Sequence, residues 1–152
     1  YYSHGAPEQY RPNIHIPLII RHPQQLTGQR IDYVADQTAL APTMLDLVGL
    51  PRPSRMQGAS LLPALRGGVV EGGLAFTQHL DNNSVFAALT DGTLGVIDGR
   101  YQYLYDIATK TGKLFVLSQA HLQERDFSLA EPQQASRLRA ALRNRFPQFS
   151  GL

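Results

Sequence analysis

The sequence predicts a mixed α/β chain: the edge of an α/β layer, then a small antiparallel β-sheet lobe with a C-terminal helix. Three observations predict it. A run of aliphatic and β-branched residues, 14–20, leads into the helix signal Ala39-Leu40-Ala41-Pro42-Thr43-Met44-Leu45-Asp46-Leu47-Val48. From Leu74 the hydrophobic period shortens to that of strands, with turn signals between the runs. After Pro132 it returns to helical spacing, with Leu138, Ala141 and Leu142 set against arginines. The glycines Gly67, Gly68, Gly72 and Gly73 mark the boundary, giving an α/β part over residues 1–70 and a sheet-plus-helix subdomain over 71–152.

Residues 1–13 are turn-rich, with Gly5, Pro7 and Pro12 and no periodicity. Residues 14–20 read as a buried strand, closed by Arg21-His22-Pro23. Ile31, Tyr33 and Val34 suggest a second short extended piece. A helix then starts at Thr38 or Ala39, with Pro42 accepted in its first turn, where an N–H has no helical partner. Leu40, Met44, Leu47 and Val48 share one face, expected to bury against the 14–20 strand, and Gly49 with Pro51 supplies the stop. Gly58-Ala59-Ser60 before Leu-Leu-Pro-Ala-Leu predicts a single helical turn capped by Ser60.

In the second part, strands are expected at 74–78, 84–90, 94–97, 101–105 and 114–117. The turns between them are expected at Asp81-Asn82-Asn83, Asp91-Gly92, Asp98-Gly99 and Thr111-Gly112. That spacing predicts an antiparallel meander of four or five strands. Tyr101, Tyr103 and Tyr105 alternate along one strand face and read as aromatic packing of a half-buried sheet. The helix opened by Pro132 ends before Pro147, and Arg137, Arg139, Arg143 and Arg145 read as its wet face.

Composition narrows the function classes. The 152 residues are 43% hydrophobic and 17% charged, which excludes a disordered chain. The pI is near 9.1, yet the formal charge is only +2, and no basic cluster is dense enough for a nucleic-acid surface. Without cysteine there is no disulfide, thiolate metal site or cysteine nucleophile. The longest apolar run is far too short to span a bilayer. Opening on Tyr1-Tyr2-Ser3, the chain reads as a mature product or a cut piece of a longer protein.

Side chains with chemistry are few. His15 and His22 flank the strand run, but a spacing of seven across an internal proline does not place two ligands on one rigid face. His79 and Asp81 read as a strand-end turn, and His121 lies in a polar loop. Ser60 lacks the second glycine of a nucleophile elbow, since Leu62 stands there, so capping is the better account.

The order strand, Ala41-Pro42-Thr43 helix, Gly49-Leu50-Pro51 stop, then Gly58-Ala59-Ser60-Leu61-Leu62-Pro63, closely resembles the C-terminal part of the sulfatases, in the alkaline-phosphatase-like superfamily of hydrolases. The second part continues the resemblance. Asp98-Gly99-Arg100-Tyr101-Gln102-Tyr103-Leu104-Tyr105 and Gly112-Lys113-Leu114-Phe115-Val116-Leu117 stand where the family has its strand pair. Glu124-Arg125-Asp126-Phe127-Ser128-Leu129-Ala130 stands in the place of its acidic turn, and Leu138-Arg139-Ala140-Ala141-Leu142 in that of its closing helix. The chain departs from the pattern at Ala39, where the family usually has Asp, and at Tyr10-Arg11-Pro12-Asn13, where a Glu commonly stands. The family's Cys/Ser-x-Pro-x-Arg nucleophile motif and its metal-ligating residues do not appear.

The resemblance implies the C-terminal portion of a metal-dependent sulfuric ester hydrolase, inactive alone, with no catalytic and no metal-ligating residue in this piece. A divalent cation, calcium, would be held by ligands upstream. His4, in His4-Gly5 thirteen residues before Pro17, stands where the family directs a Lys or His at the ester's oxygens, and Arg11 is the alternative holder of that role. The implied partner is a small-molecule sulfate or phosphate ester, with no nucleic acid and with membrane association only through upstream segments. Two alternatives stay open: a phosphoester hydrolase or membrane phosphoglycerol/phosphoethanolamine transferase of the same superfamily, and a non-catalytic binding domain. The compartment, whether bacterial periplasmic, membrane-associated or cytoplasmic, is left unassigned.

Overall fold

The strand-period half of the chain forms a four-stranded antiparallel meander, β1 (Ala75–Leu80), β2 (Gly92–Ile97), β3 (Tyr101–Asp106) and β4 (Thr111–Val116), in spatial order β1-β2-β3-β4. In this computed structural model the structure describes residues 9–23, 28–68, 73–81, 88–117, 125–149 and 151–152. Among the described residues, three helices come before the sheet, α1 (Arg11–Ile14), α2 (Leu40–Leu47) and α3 (Leu62–Leu65), and one after it, α4 (Pro132–Arg145). Two compact units result: Ile16–Gly73, and Leu74–Leu152 together with the residues up to His15. The described residues 9–15 thus group with the sheet and not with the segment that follows them. The expected fold class, α/β with a small antiparallel sheet and a C-terminal helix, is the one observed.

Register follows from the alternation of side chains. Leu94 pairs with Tyr105, Val96 with Tyr103, and Tyr103 with Leu114, so all of these project to one face. α4 packs on that face through Leu138 and Leu142, both wholly buried, as are Leu94, Val96 and Leu114. Each such side chain contributes about 1.5–3 kcal/mol relative to exposure. Tyr101, Tyr103 and Tyr105, at most 6% exposed, fill the same core, in line with the packing role expected of them. The β2–β3 turn is capped by Asp98, whose Oδ1 accepts from Arg100 N (3.0 Å) and Tyr101 N (2.7 Å).

Several expectations need correction. Thr111-Gly112 opens β4 instead of forming a turn; the reversal lies just before it, where Asp106 Oδ1 accepts from Thr109 N at 2.7 Å. Of the expected strand at 84–90, residues 84–87 lie outside the described ones, and 88–90 have no regular structure. The α4 arginines are not simply a wet face. Arg137 pairs with Asp98, Arg139 and Arg143 donate to the carbonyls of Gly151 and Leu152 (both 2.6 Å), and Arg145 lies over the Phe76 ring. A helical-period reading sees only that these residues face away from the leucines, not what the following chain brings to them.

In the other unit, α2 is led by a 3₁₀ turn, Gln37–Ala39, whose cap is Asp36 accepting from Thr38 N at 2.9 Å. Its exit is a left-handed glycine closure: Gly49 at φ 71°, with Gly49 N donating to Asp46 O and Leu50 N to Leu45 O. The N-cap of α3 is Leu61 and not Ser60 as expected, though Ser60 Oγ, one residue earlier, does accept from Leu62 N at 3.2 Å. The burial of α2 differs from expectation. Ala39, Pro42 and Thr43 are buried, whereas Met44 and Val48 are each 68% exposed. The face one position round wins because Thr43 Oγ1 donates to Ala39 O (2.6 Å) and accepts from Leu61 N (2.8 Å), which locks that side of α2 to α3.

The expected buried strand at 14–20 is also overturned. Ile14 ends α1, and residues 15–20 are irregular, with Ile16 62%, Leu18 51% and Ile19 91% exposed. No described strand pairs with them. An apolar run has the composition of a strand interior, but it becomes a strand only where neighbours complete its ladder.

Candidate functional site

Arg11 is the first residue of α1, a single turn whose start is set by Pro12 and closed by His15 N donating to Arg11 O at 2.8 Å. Its side chain is exposed. His4 lies outside the described residues. The structure therefore places one of the two candidate substrate-binding residues, on a short turn belonging to the sheet unit.

That turn is held by a feature absent from the sequence reading. Gln9, 5% exposed, inserts its side chain against the face of the sheet opposite α4. Its Nε2 donates to Thr93 O at 2.7 Å, its Oε1 accepts from Thr77 Oγ1, and its own carbonyl accepts from Gln102 Nε2 at 2.8 Å. Gln102 is wholly buried. Gly95 makes the room: a Cβ there would stand 2.6 Å from Gln9 Oε1 and 2.3 Å from Thr77 Oγ1. An interior strand glycine was the available signal for a close approach.

Next to this lies a cleft of about 580 Å³, lined by Tyr10, Leu104, Asp106, Lys113, Phe115, Asp126 and three threonines. Its carboxylates are engaged in capping turns. Asp106 Oδ1 accepts from the Thr109 amide and hydroxyl (2.7 and 2.8 Å), and these bonds hold its pKa below the ordinary 3.8. For Asp126, burial pushes the pKa up, but the Ser128 hydroxyl and amide and the Leu114 amide outweigh it and the net shift is downward. Phe127 N donates to Leu114 O at 2.7 Å, so the turn in the acidic-turn position is a clip that fastens the chain after β4 back onto β4. The cleft's two carboxylates thus serve architecture, holding local turns.

Among the described residues no three His, Asp or Glu side chains converge in a way that could hold a metal ion. The donor set for the cation that the resemblance implies is not found there. His15 is exposed, and His79 Nε2 meets Asp81 Oδ1 at 3.2 Å, the strand-end turn expected of the pair. No described helix is long and apolar enough to cross a membrane.

Comparison with known proteins bears on this arrangement. Residues 8–72 match the family described as N-sulphoglucosamine sulphohydrolase, C-terminal. Arylsulfatase K of Xenopus laevis is 41% identical over 56 residues, 37% of this chain and 10% of that protein. The fold resembles that of a 2-O GAG sulfatase (TM-score 0.50, 20% identity, 72% of this chain and 24% of the other). It also resembles a phosphonate monoester hydrolase from Silicibacter pomeroyi (TM-score 0.54, 20% identity, 74% and 25%). The chain spans about a tenth of that arylsulfatase and about a quarter of each solved structure. Sequence match and fold agree: residues 8–72 are similar to the C-terminal part of sulfatase-family proteins, and the fold is similar to that of solved sulfatases.

Proposed function

We propose that this chain completes a metal-dependent sulfatase-like hydrolase of sulfuric esters, supplying the edge of its α/β layer and one wall of its substrate cleft, and that it is inactive alone. One observation carries the reading. Within the stretch that matches the sulphohydrolase C-terminal family, Ile16, Leu18 and Ile19 stand exposed in a run with strand composition. Burying aliphatic side chains of this size contributes about 1.5–3 kcal/mol each, and an open apolar edge invites aggregation. Such a run is suited to a place between the strands of a larger parallel layer, where both faces are covered.

In the family that the chain resembles, a hydrated formylglycine attacks the ester. A divalent cation, calcium in this proposal, would neutralise charge on the ester oxygens when bound. The resemblance implies ligands upstream of this chain, and in this proposal the cation's ligands are assigned there. This chain's own part is to bind and orient. His4 donates to an ester oxygen whose charge grows toward the transition state, or Arg11 does so in its place. Removing one such donor costs about 10²–10³ in rate. In the full-length protein, His4→Ala should lower kcat/KM by that factor with metal content unchanged. Full activity in His4→Ala with a large loss in Arg11→Ala assigns the role to Arg11. Full activity in both removes the segment from catalysis.

The reading as a whole is tested with para-nitrophenyl sulfate and phosphate. The 152-residue chain should turn over neither, and the full-length protein should turn over the sulfate. Metal-dependent turnover by the chain alone ends the proposal, and a full-length protein inert on both esters is a non-catalytic binding domain. The likeness to a phosphonate monoester hydrolase favours a second reading, a phosphoester or phosphonate hydrolase, which a higher kcat/KM on those esters than on the sulfate would establish.

A further inference from the structure

We infer that the sheet lobe is the mount for the substrate-side segment, and that Gln9, Gly95 and Gln102 are positioning residues acting through the Arg11 turn. The inference rests on the assignment of His4 and Arg11 to the substrate. Residues 9–15 belong to the sheet unit, and buried Gln9 bonds them to its strands. Gln9 is bonded at three points to three different strands: Thr77 on β1, Thr93 on β2 and Gln102 on β3. Its amide oxygen and nitrogen and its backbone carbonyl are all used, so both its rotation and its depth are set.

The socket is specific in shape as well as in bonding. Gly95 sits mid-strand in β2, where a side chain would ordinarily add packing and β propensity. Any Cβ there would collide with Gln9 Oε1 and Thr77 Oγ1. Gln102 is a wholly buried amide in a position where an apolar residue would suit a sheet face. Burying an amide without a partner is unfavourable, and here its Nε2 is directed at the Gln9 carbonyl. A missing side chain and a buried amide are therefore arranged around one residue, two positions before Arg11. Because a misplacement of about 1 Å at a substrate-orienting group costs on the order of 10²-fold in rate, the lobe sets the precision of a contact made outside it.

The test is a kinetic cycle in the full-length protein, joined to hydrogen exchange. Gln9→Ala and Gln102→Leu are each measured in the native background and in a His4→Ala/Arg11→Ala background. The expected result is a fall in kcat/KM of about 10-fold or more in the native background, and no further fall once His4 and Arg11 are gone, since acting through one another makes such effects non-additive. A merely structural role would lower activity equally in both backgrounds, and that result overturns the inference. Amide exchange over residues 10–15 should quicken in both variants while β3 stays protected; unchanged exchange overturns the clamp itself. Quickened exchange with full activity in His4→Ala/Arg11→Ala refutes the assignment of those two residues, and with it the positioning role, but leaves the clamp standing.

Discussion

Replacing Leu138 by alanine should destabilise the sheet lobe by about 3–5 kcal/mol, the upper part of the range for large-to-small core changes. The magnitude follows from the surroundings. Leu138 is wholly buried in α4, and its cluster includes Tyr103 and Tyr105. Large planar rings anchored in paired strands collapse poorly into a vacated volume, so most of the cavity persists and the penalty lies toward the high end. Leu129, 99% exposed, is the matched control and should change stability by less than about 0.5 kcal/mol on the same replacement. Urea unfolding of the 152-residue chain, followed by tyrosine emission, is the assay; the chain has no tryptophan to mask its seven tyrosines. The midpoint should fall at constant slope. A loss under about 1 kcal/mol for Leu138→Ala would refute the placement of α4 on the sheet.

Further predictions follow from single interactions. Thr43→Val keeps the volume but removes the acceptor for the Leu61 amide, and should cost about 1–3 kcal/mol in urea unfolding; a neutral result would show that α2 and α3 are joined otherwise. Gly58 has φ 91°, and a Cβ there would lie 2.3 Å from Thr38 O, so Gly58→Ala should destabilise by more than the about 1–2 kcal/mol of the backbone conformation alone; equal stability contradicts that packing. Asp106 and Asp126 both have depressed pKa values in the folded chain. Their contribution is complete at neutral pH, above the unfolded value, and is lost as pH falls below about 4 through the lower folded values. Thermal midpoints should therefore drop as pH falls below about 4, and less steeply in Asp126→Asn; a flat profile contradicts the capping roles.

The sheet was legible because each of its elements is set by neighbours in sequence. Asp98-Gly99 makes a local turn, Tyr101, Tyr103 and Tyr105 fix which face is buried, and Pro132 with Leu138 and Leu142 states the helix and its face. The same holds for Gly49, whose bonds reach only a few residues away. What failed depended on distant partners. Residues 14–20 have strand composition, yet no described neighbour pairs with them. Met44 and Val48 carry helical spacing, but the bond from Leu61 to Thr43 selects a different face. Gln9 is a lone polar residue in a turn-rich stretch, and only Gly95, 86 positions away, hints that something must sit there. Of the candidate site, position and exposure are established for Arg11 alone.

The central claim is that this chain is the non-nucleophilic end of a sulfatase-like hydrolase, and the residues encoded ahead of Tyr1 test it most directly. Determining that coding sequence from its source should reveal a Cys/Ser-x-Pro-x-Arg motif with acidic metal ligands in the same reading frame. A frame holding a lone Thr or Ser beyond transmembrane helices would instead make the chain part of a phosphoglycerol or phosphoethanolamine transferase, and a frame with neither would contradict the account and leave a binding domain.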